Sequence, residues 1–150
     1  MTTNHDHFPS LSALLRQGLG DAIRPDAAGL LDMMTDDVSF EFPFALPDGL
    51  TVIEGKAALA DYLPKVGALF TIEAMVLDRA ILSADGRHAV LEFTGKAHAN
   101  KDGARYDQTY VSVIDIEGGL ISRYRDYWNP LVVLSATGGA DAVIAVLKNG

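Results

Sequence analysis

The chain has 150 residues, 49% hydrophobic and 21% charged, with no cysteine and a net charge of −8. That length suits one domain burying roughly 70% of the surface its unfolded form exposes. The composition excludes a disulfide framework, a thiolate zinc site and a cysteine nucleophile, and its twelve scattered Lys and Arg against twenty acids argue against a nucleic-acid binder.

The opening MTTNHDHFPS lacks the basic region and apolar core of a targeting segment, and no apolar run approaches the ~20 residues of a membrane span. A cytoplasmic protein that binds neither membrane nor nucleic acid is expected. Residues 1–9, with His5-Asp6-His7, read as a flexible, solvated tail. Pro9-Ser10 then opens a helix with Leu11, Leu14, Leu15 and Leu19 on one face, ending at Gly20. A second amphipathic stretch begins at Pro25-Asp26 and aligns Ala27, Leu30, Leu31 and Met34. Val38 to Phe44 alternates as a strand with Phe40, Phe42 and Phe44 on one side; Pro43 suggests a sheet edge. Gly55 precedes a third helix in which Ala58, Leu59, Tyr62 and Leu63 point inward and Pro64 disturbs the last turn.

The second half changes in kind. Turn signals at Ala84-Asp85-Gly86, Lys101-Asp102-Gly103 and Glu117-Gly118-Gly119 separate four segments, about 71–83, 87–99, 104–116 and 120–129, rich in Val, Ile, Phe, Tyr and Thr. That pattern predicts a four-strand antiparallel meander. Strands this long curl, and helices packed on the concave side enclose a cavity. The expected architecture is α+β: a conical curved sheet, the meander plus short N-terminal strands, packed on three N-terminal helices around a pocket. A final apolar stretch, Leu131 to Leu134 and Ala140 to Leu147, reads as helical, broken at Gly138-Gly139.

The most informative segment is Arg123 to Pro130. Alternation sets Tyr124, Asp126 and Trp128 on one face and Arg123, Arg125 and Tyr127 on the other. A carboxylate between two aromatics is costly to bury, and its pKa rises towards the range where protons exchange. The competing reading pairs Asp126 with an arginine. Glu92, on the second meander strand, could serve as a second acid if it faces inward, or lie at an interface or in solvent. Tyr106, Gln108 and Tyr110 share a face suited to a pocket wall or to a sheet–sheet interface. Register decides: a loop at Glu117-Gly118 sets Thr109 opposite Asp126, and one that includes Gly119 sets Tyr110 there. His88 and His98 stand near strand ends without partners at metal-ligand spacing. No nucleotide, metal or nucleophile motif appears, so the expected chemistry uses no metal and no cofactor.

Tyr106-x-Gln108-x-Tyr110, Gly118-x-x-Ile121 and Tyr124-Arg125-Asp126-Tyr127-Trp128-Asn129-Pro130 resemble the SnoaL-like branch of the nuclear-transport-factor-2-like superfamily. So does the element order with Gly55-Lys56-x-x-Leu59, and the Asn-Pro-Leu ending is most like the phenazine-biosynthesis A/B type. The resemblance implies one domain over residues 1–150, a homodimer packed sheet to sheet, and a blind pocket for a small apolar or aromatic molecule. It implies acid–base isomerisation, cyclisation or dehydration of a cyclic or polyketide-like substrate, with Asp126 as proton-transfer group and Glu92 beside it. Phe42, Tyr62, Tyr106, Gln108, Tyr110, Tyr124 and Trp128 would bind the substrate. Phe42 stands where the family's ketosteroid isomerases carry their base, which disfavours that mechanism. A non-catalytic binding module and a limonene-epoxide-hydrolase-like enzyme are the alternatives; Arg105-Tyr106-Asp107 only mimics the latter's arginine–acid spacing.

Overall fold

A computed structural model describes Asp6 and residues 8–136. The expected helix at 140–147 and both histidines of the tail lie outside those residues. Asp6 is tied down: it accepts hydrogen bonds from the Phe8 and Leu30 amides (3.1 and 3.4 Å) and from the Ser12 hydroxyl (2.5 Å).

Helix α1 (Pro9–Leu19) has proline in its first turn and buries Leu11, Leu14, Leu15 and Leu19 on one face. Gly18 lets it lie close to the sheet, since a Cβ there would stand 2.8 Å from the Leu91 side chain. The Pro25 stretch differs from expectation. It forms no α-helix, only a single 3-10 turn at Leu31–Met33, and strand β1 (Met34–Glu41) begins at once. Met34, Val38 and Phe40 are wanted in the core, and an extended chain delivers them as well as a helix would. A short strand β2 (Val52–Glu54) pairs antiparallel with β1 and takes the edge, so β1 is interior. Helix α2 (Lys56–Leu69) follows Gly55 and runs five residues past Pro64, so the proline sits inside it.

The meander forms as β3 (Phe70–Leu82), β4 (His88–Ala99), β5 (Gln108–Glu117) and β6 (Leu120–Tyr127). The six strands make one curved, unclosed sheet in the order β2-β1-β6-β5-β4-β3. One pairing is not antiparallel: β1 lies parallel to β6, with Phe40 opposite Tyr124 and Glu41 opposite Arg125. Helix α3 (Pro130–Ala136) closes the described chain, its first turn held by the Asn129 side chain accepting the Leu131 amide at 3.0 Å. The core lies between the helices and the inner face of the sheet, with Leu15, Leu59, Leu91, Ile114 and Ile121 fully buried. Each such side chain stabilises the fold by roughly 1.5–3 kcal/mol through burial.

Both expected β5–β6 registers are replaced. The turn is Gly118-Gly119, both at positive φ (59° and 80°), the backbone that a two-residue hairpin loop requires. Register then shifts between Asp115 and Ile116, because β6 carries an extra residue, Ser122. Ile121 and Tyr124, three apart, therefore both face the core, and Asp126 stands opposite Ser112 rather than Thr109 or Tyr110.

Candidate active site

Between the sheet's inner face and the helices lies a cavity of about 290 Å³. Strand β6 and the residues after it supply Tyr124, Asp126 and Trp128, aligned by two-residue alternation. On the β1 side Phe40 stacks on Tyr124 (centroids 4.5 Å apart), and Phe42 packs between Trp128 (5.0 Å) and Tyr62 of α2 (5.7 Å). The far side is two further stacks, Phe93 on Tyr110 (4.9 Å) and Phe70 on Tyr106 (4.1 Å). Gly95 makes room there: a Cβ would come within 3.0 Å of the Tyr110 ring.

Asp126 is the only charged side chain lining this cavity among the described residues. Its carboxylate receives no hydrogen bond and no ion pair from them, and burial pushes its pKa from the ordinary 3.8 up to about 7. The arginine pairing does not occur. Arg123 and Arg125 lie on the opposite face, where Arg123 holds Glu41 through Nε and, at 3.0 Å, through Nη2, with Arg125 4.0 Å from the same carboxylate. Four phenols feel the Asp126 charge. Burial first, and then Asp126, raises Tyr62 to about 12; Tyr106, Tyr110 and Tyr124 are raised too, chiefly by burial. All four therefore stay protonated near neutrality. Tyr124 shares a 2.6 Å hydrogen bond with the buried Ser112 hydroxyl.

The structure thus brings Phe42, Tyr62, Tyr106, Tyr110, Tyr124, Asp126 and Trp128 together around one space. Two candidates fall outside it. Glu92 pairs with Arg79 and Val111 across the sheet and alternates with the buried Leu91 and Phe93, so it projects from the outer face. Gln108 is buried but occupied: its amide donates to the Asn129 carbonyl (3.1 Å) and accepts from the Asn129 amide (2.8 Å), fixing the chain just after Trp128. Phe44 leaves the Phe40–Phe42 row and is half exposed against Tyr127. Sequence reading missed Phe70, Met75 and Phe93 as wall residues, although Phe93 was signalled by its alternation with Leu91, and it missed Ser112 as the partner of Tyr124.

Other polar groups are engaged elsewhere. Arg105 bridges Glu73 and Asp107 on an exposed surface, while His98 and His88 are held by Glu73 (3.2 Å) and Asp115 (2.9 Å). No group of three or more potential metal ligands occurs among the described residues.

A curved sheet closed by helices over an apolar pocket defines the nuclear-transport-factor-2-like class of α+β proteins, and a solved protein of this class from Burkholderia xenovorans superposes with a TM-score of 0.60. Residues 21–124 match the SnoaL-like domain, and the chain belongs to that family. It is 32% identical over 123 residues to an uncharacterised PhzA/B-like protein of Pseudomonas aeruginosa, covering 82% of this chain and 86% of the relative. It is 34% identical to a Bacillus subtilis protein of known structure described as a proposed isomerase, covering 91% and 98% of the two chains with a TM-score of 0.72. A SnoaL-like polyketide cyclase candidate from Jannaschia shares the fold at 14% identity and a TM-score of 0.64, covering 85% and 90%.

Proposed function

We propose that the protein is a cofactor-independent acid–base catalyst, of the isomerase, cyclase or dehydratase type, in which Asp126 moves a proton on an apolar cyclic or polyketide-like substrate. The observation that carries this reading is an unpartnered carboxyl group in an aromatic cavity, its pKa pushed up to about 7 by burial. A general base is most effective when its pKa lies near the working pH. Next to a carbonyl, Asp126 would take the α-proton, leaving an enolate whose oxygen accepts a hydrogen bond from a protonated tyrosine. The carboxylic acid then returns the proton to the same or another carbon. The 34% identical Bacillus subtilis relative, itself a proposed isomerase, points the same way.

The test follows hydrogen–deuterium exchange at the α-carbon of ring ketones in D₂O by NMR. The wild-type chain should catalyse exchange, and Asp126→Asn should slow it by ~10²–10⁴-fold. Binding without exchange would move the protein to the non-catalytic class. Epoxide hydrolysis finds no support in the geometry, since no arginine lines the cavity among the described residues.

The same reading makes the protein a cytoplasmic homodimer paired through the outer sheet face. Val76 and Ile81 are 55% and 45% exposed there, beside Val90, Val111 and Val113. Among the described residues no helix is long and apolar enough to cross a membrane. Light scattering should return twice the chain mass, and Val76→Lys with Ile81→Lys should return the monomer.

A further inference from the structure

We infer that the cavity selects a neutral, flat molecule of one or two rings bearing a single oxygen function, and turns away organic anions of the same shape. This rests on the proton-transfer reading and names its substrate class.

Size sets the first limit. A volume of about 290 Å³ lies at the small end of ligand cavities, roughly 300–1,000 Å³. Room at that end of the range favours one or two fused rings over four. Shape comes from the walls. The Phe42–Trp128–Tyr62 group and the Phe93–Tyr110 stack present ring surfaces, which favour flat partners in offset or edge contact.

Charge sets the sharpest limit. No Lys, Arg or His lines the cavity among the described residues, so an anion would meet the one carboxyl group without a counter-charge. A neutral oxygen avoids that repulsion. It accepts from protonated Asp126 or from a protonated phenol of the wall such as Tyr62.

Trp128, the single tryptophan of the sequence, stands in the wall and reports occupancy through its fluorescence. Three probes separate the limits: 2-tetralone, tetralin-2-carboxylate and a four-ring steroid ketone. At pH 7, 2-tetralone should bind at least about tenfold more tightly than the other two, a margin of ~1.4 kcal/mol. In Asp126→Asn the handicap of the carboxylate should shrink, because its like-charged neighbour is gone. Equal or tighter binding of the carboxylate or the steroid overturns the proposal, and so does failure of 2-tetralone to bind. Deuterium wash-in on bound 2-tetralone is read separately. Selective binding without wash-in leaves the ligand class standing and removes the catalytic reading; wash-in with unselective binding does the reverse.

Discussion

Glu41 and Asp126 sit on neighbouring strands at the same end of the sheet, yet they titrate in opposite directions. Glu41 pairs in register with Arg125, the residue before Asp126, so one step of alternation separates their faces. On the outer face Arg123 hydrogen-bonds Glu41 and holds its carboxyl below the usual range. On the inner face Asp126 has aromatic rings for neighbours and is pushed up to about 7. The same side-chain chemistry becomes a surface ion pair in one place and a buried acid without an ion-pair partner in the other. What differs is access to cations and water, which strand parity decides.

The largest effects should come from exchanging these roles. Asp126→Asn keeps shape and removes the proton acceptor, so α-proton exchange should drop by ~10²–10⁴-fold, while Glu41→Gln should leave it within about twofold. Loss of exchange in both variants would mean that the ion pair reaches the site.

Stability should move against activity. Unfolded, Asp126 ionises near 3.8; folded, burial pushes it up to about 7. Between those values the unfolded chain binds fewer protons than the folded one, so Asp126 lowers stability progressively as pH rises from about 4 to 7 and by a constant amount above. Asp126→Asn should therefore be more stable than wild type at pH 8, by at most about 4 kcal/mol, with the gain fading towards pH 4. Urea unfolding at pH 8, 6 and 4 measures this. A gain that does not depend on pH would dissociate it from ionisation.

Gly95→Ala probes the aromatic wall instead of the acid. The new Cβ would stand 3.0 Å from Tyr110, whose ring is already stacked on Phe93. Overpacking of this kind costs ~1–3 kcal/mol, and the displaced ring narrows the cavity. The thermal midpoint should fall and 2-tetralone should quench Trp128 less tightly, with Asp126 untouched. A midpoint and affinity equal to wild type would show that the wall yields freely.

Much of this contrast was legible in the chain. Leucine spacing marks α1, glycine turns separate the meander strands, and alternation alone sets Asp126 apart from Arg123 and Arg125. What could not be read depends on contacts between distant segments. The parallel pairing of β1 with β6 joins residues more than eighty positions apart. The register at Asp126 depends on the extra residue at Ser122, which lets Ile121 and Tyr124 both face the core; counting from the turn alone gives the wrong partner. Glu92 looked like a second acid because its neighbours are apolar, yet those neighbours are the ones facing in. Gln108 faces inward too, but the chain after Trp128 takes both ends of its amide.

The smallest expected effect is the stability cost of Glu41→Gln. Its carboxylate is 22% exposed and Arg123 is 46% exposed, so solvent screens the pair. Such pairs contribute ~0–1 kcal/mol. Because the folded pKa is lowered, the contribution is fully present above the ordinary carboxylate pKa and is lost as pH falls through the depressed value. Glu41→Gln should thus cost under about 1 kcal/mol at pH 7, and less as acid protonates the wild-type carboxyl or as salt screens it. This pH trend is opposite in sign to that of Asp126→Asn, so the two variants measured side by side report which face each acid occupies. Parallel trends would mean that both acids share one environment, and the contrast between the two faces would fail.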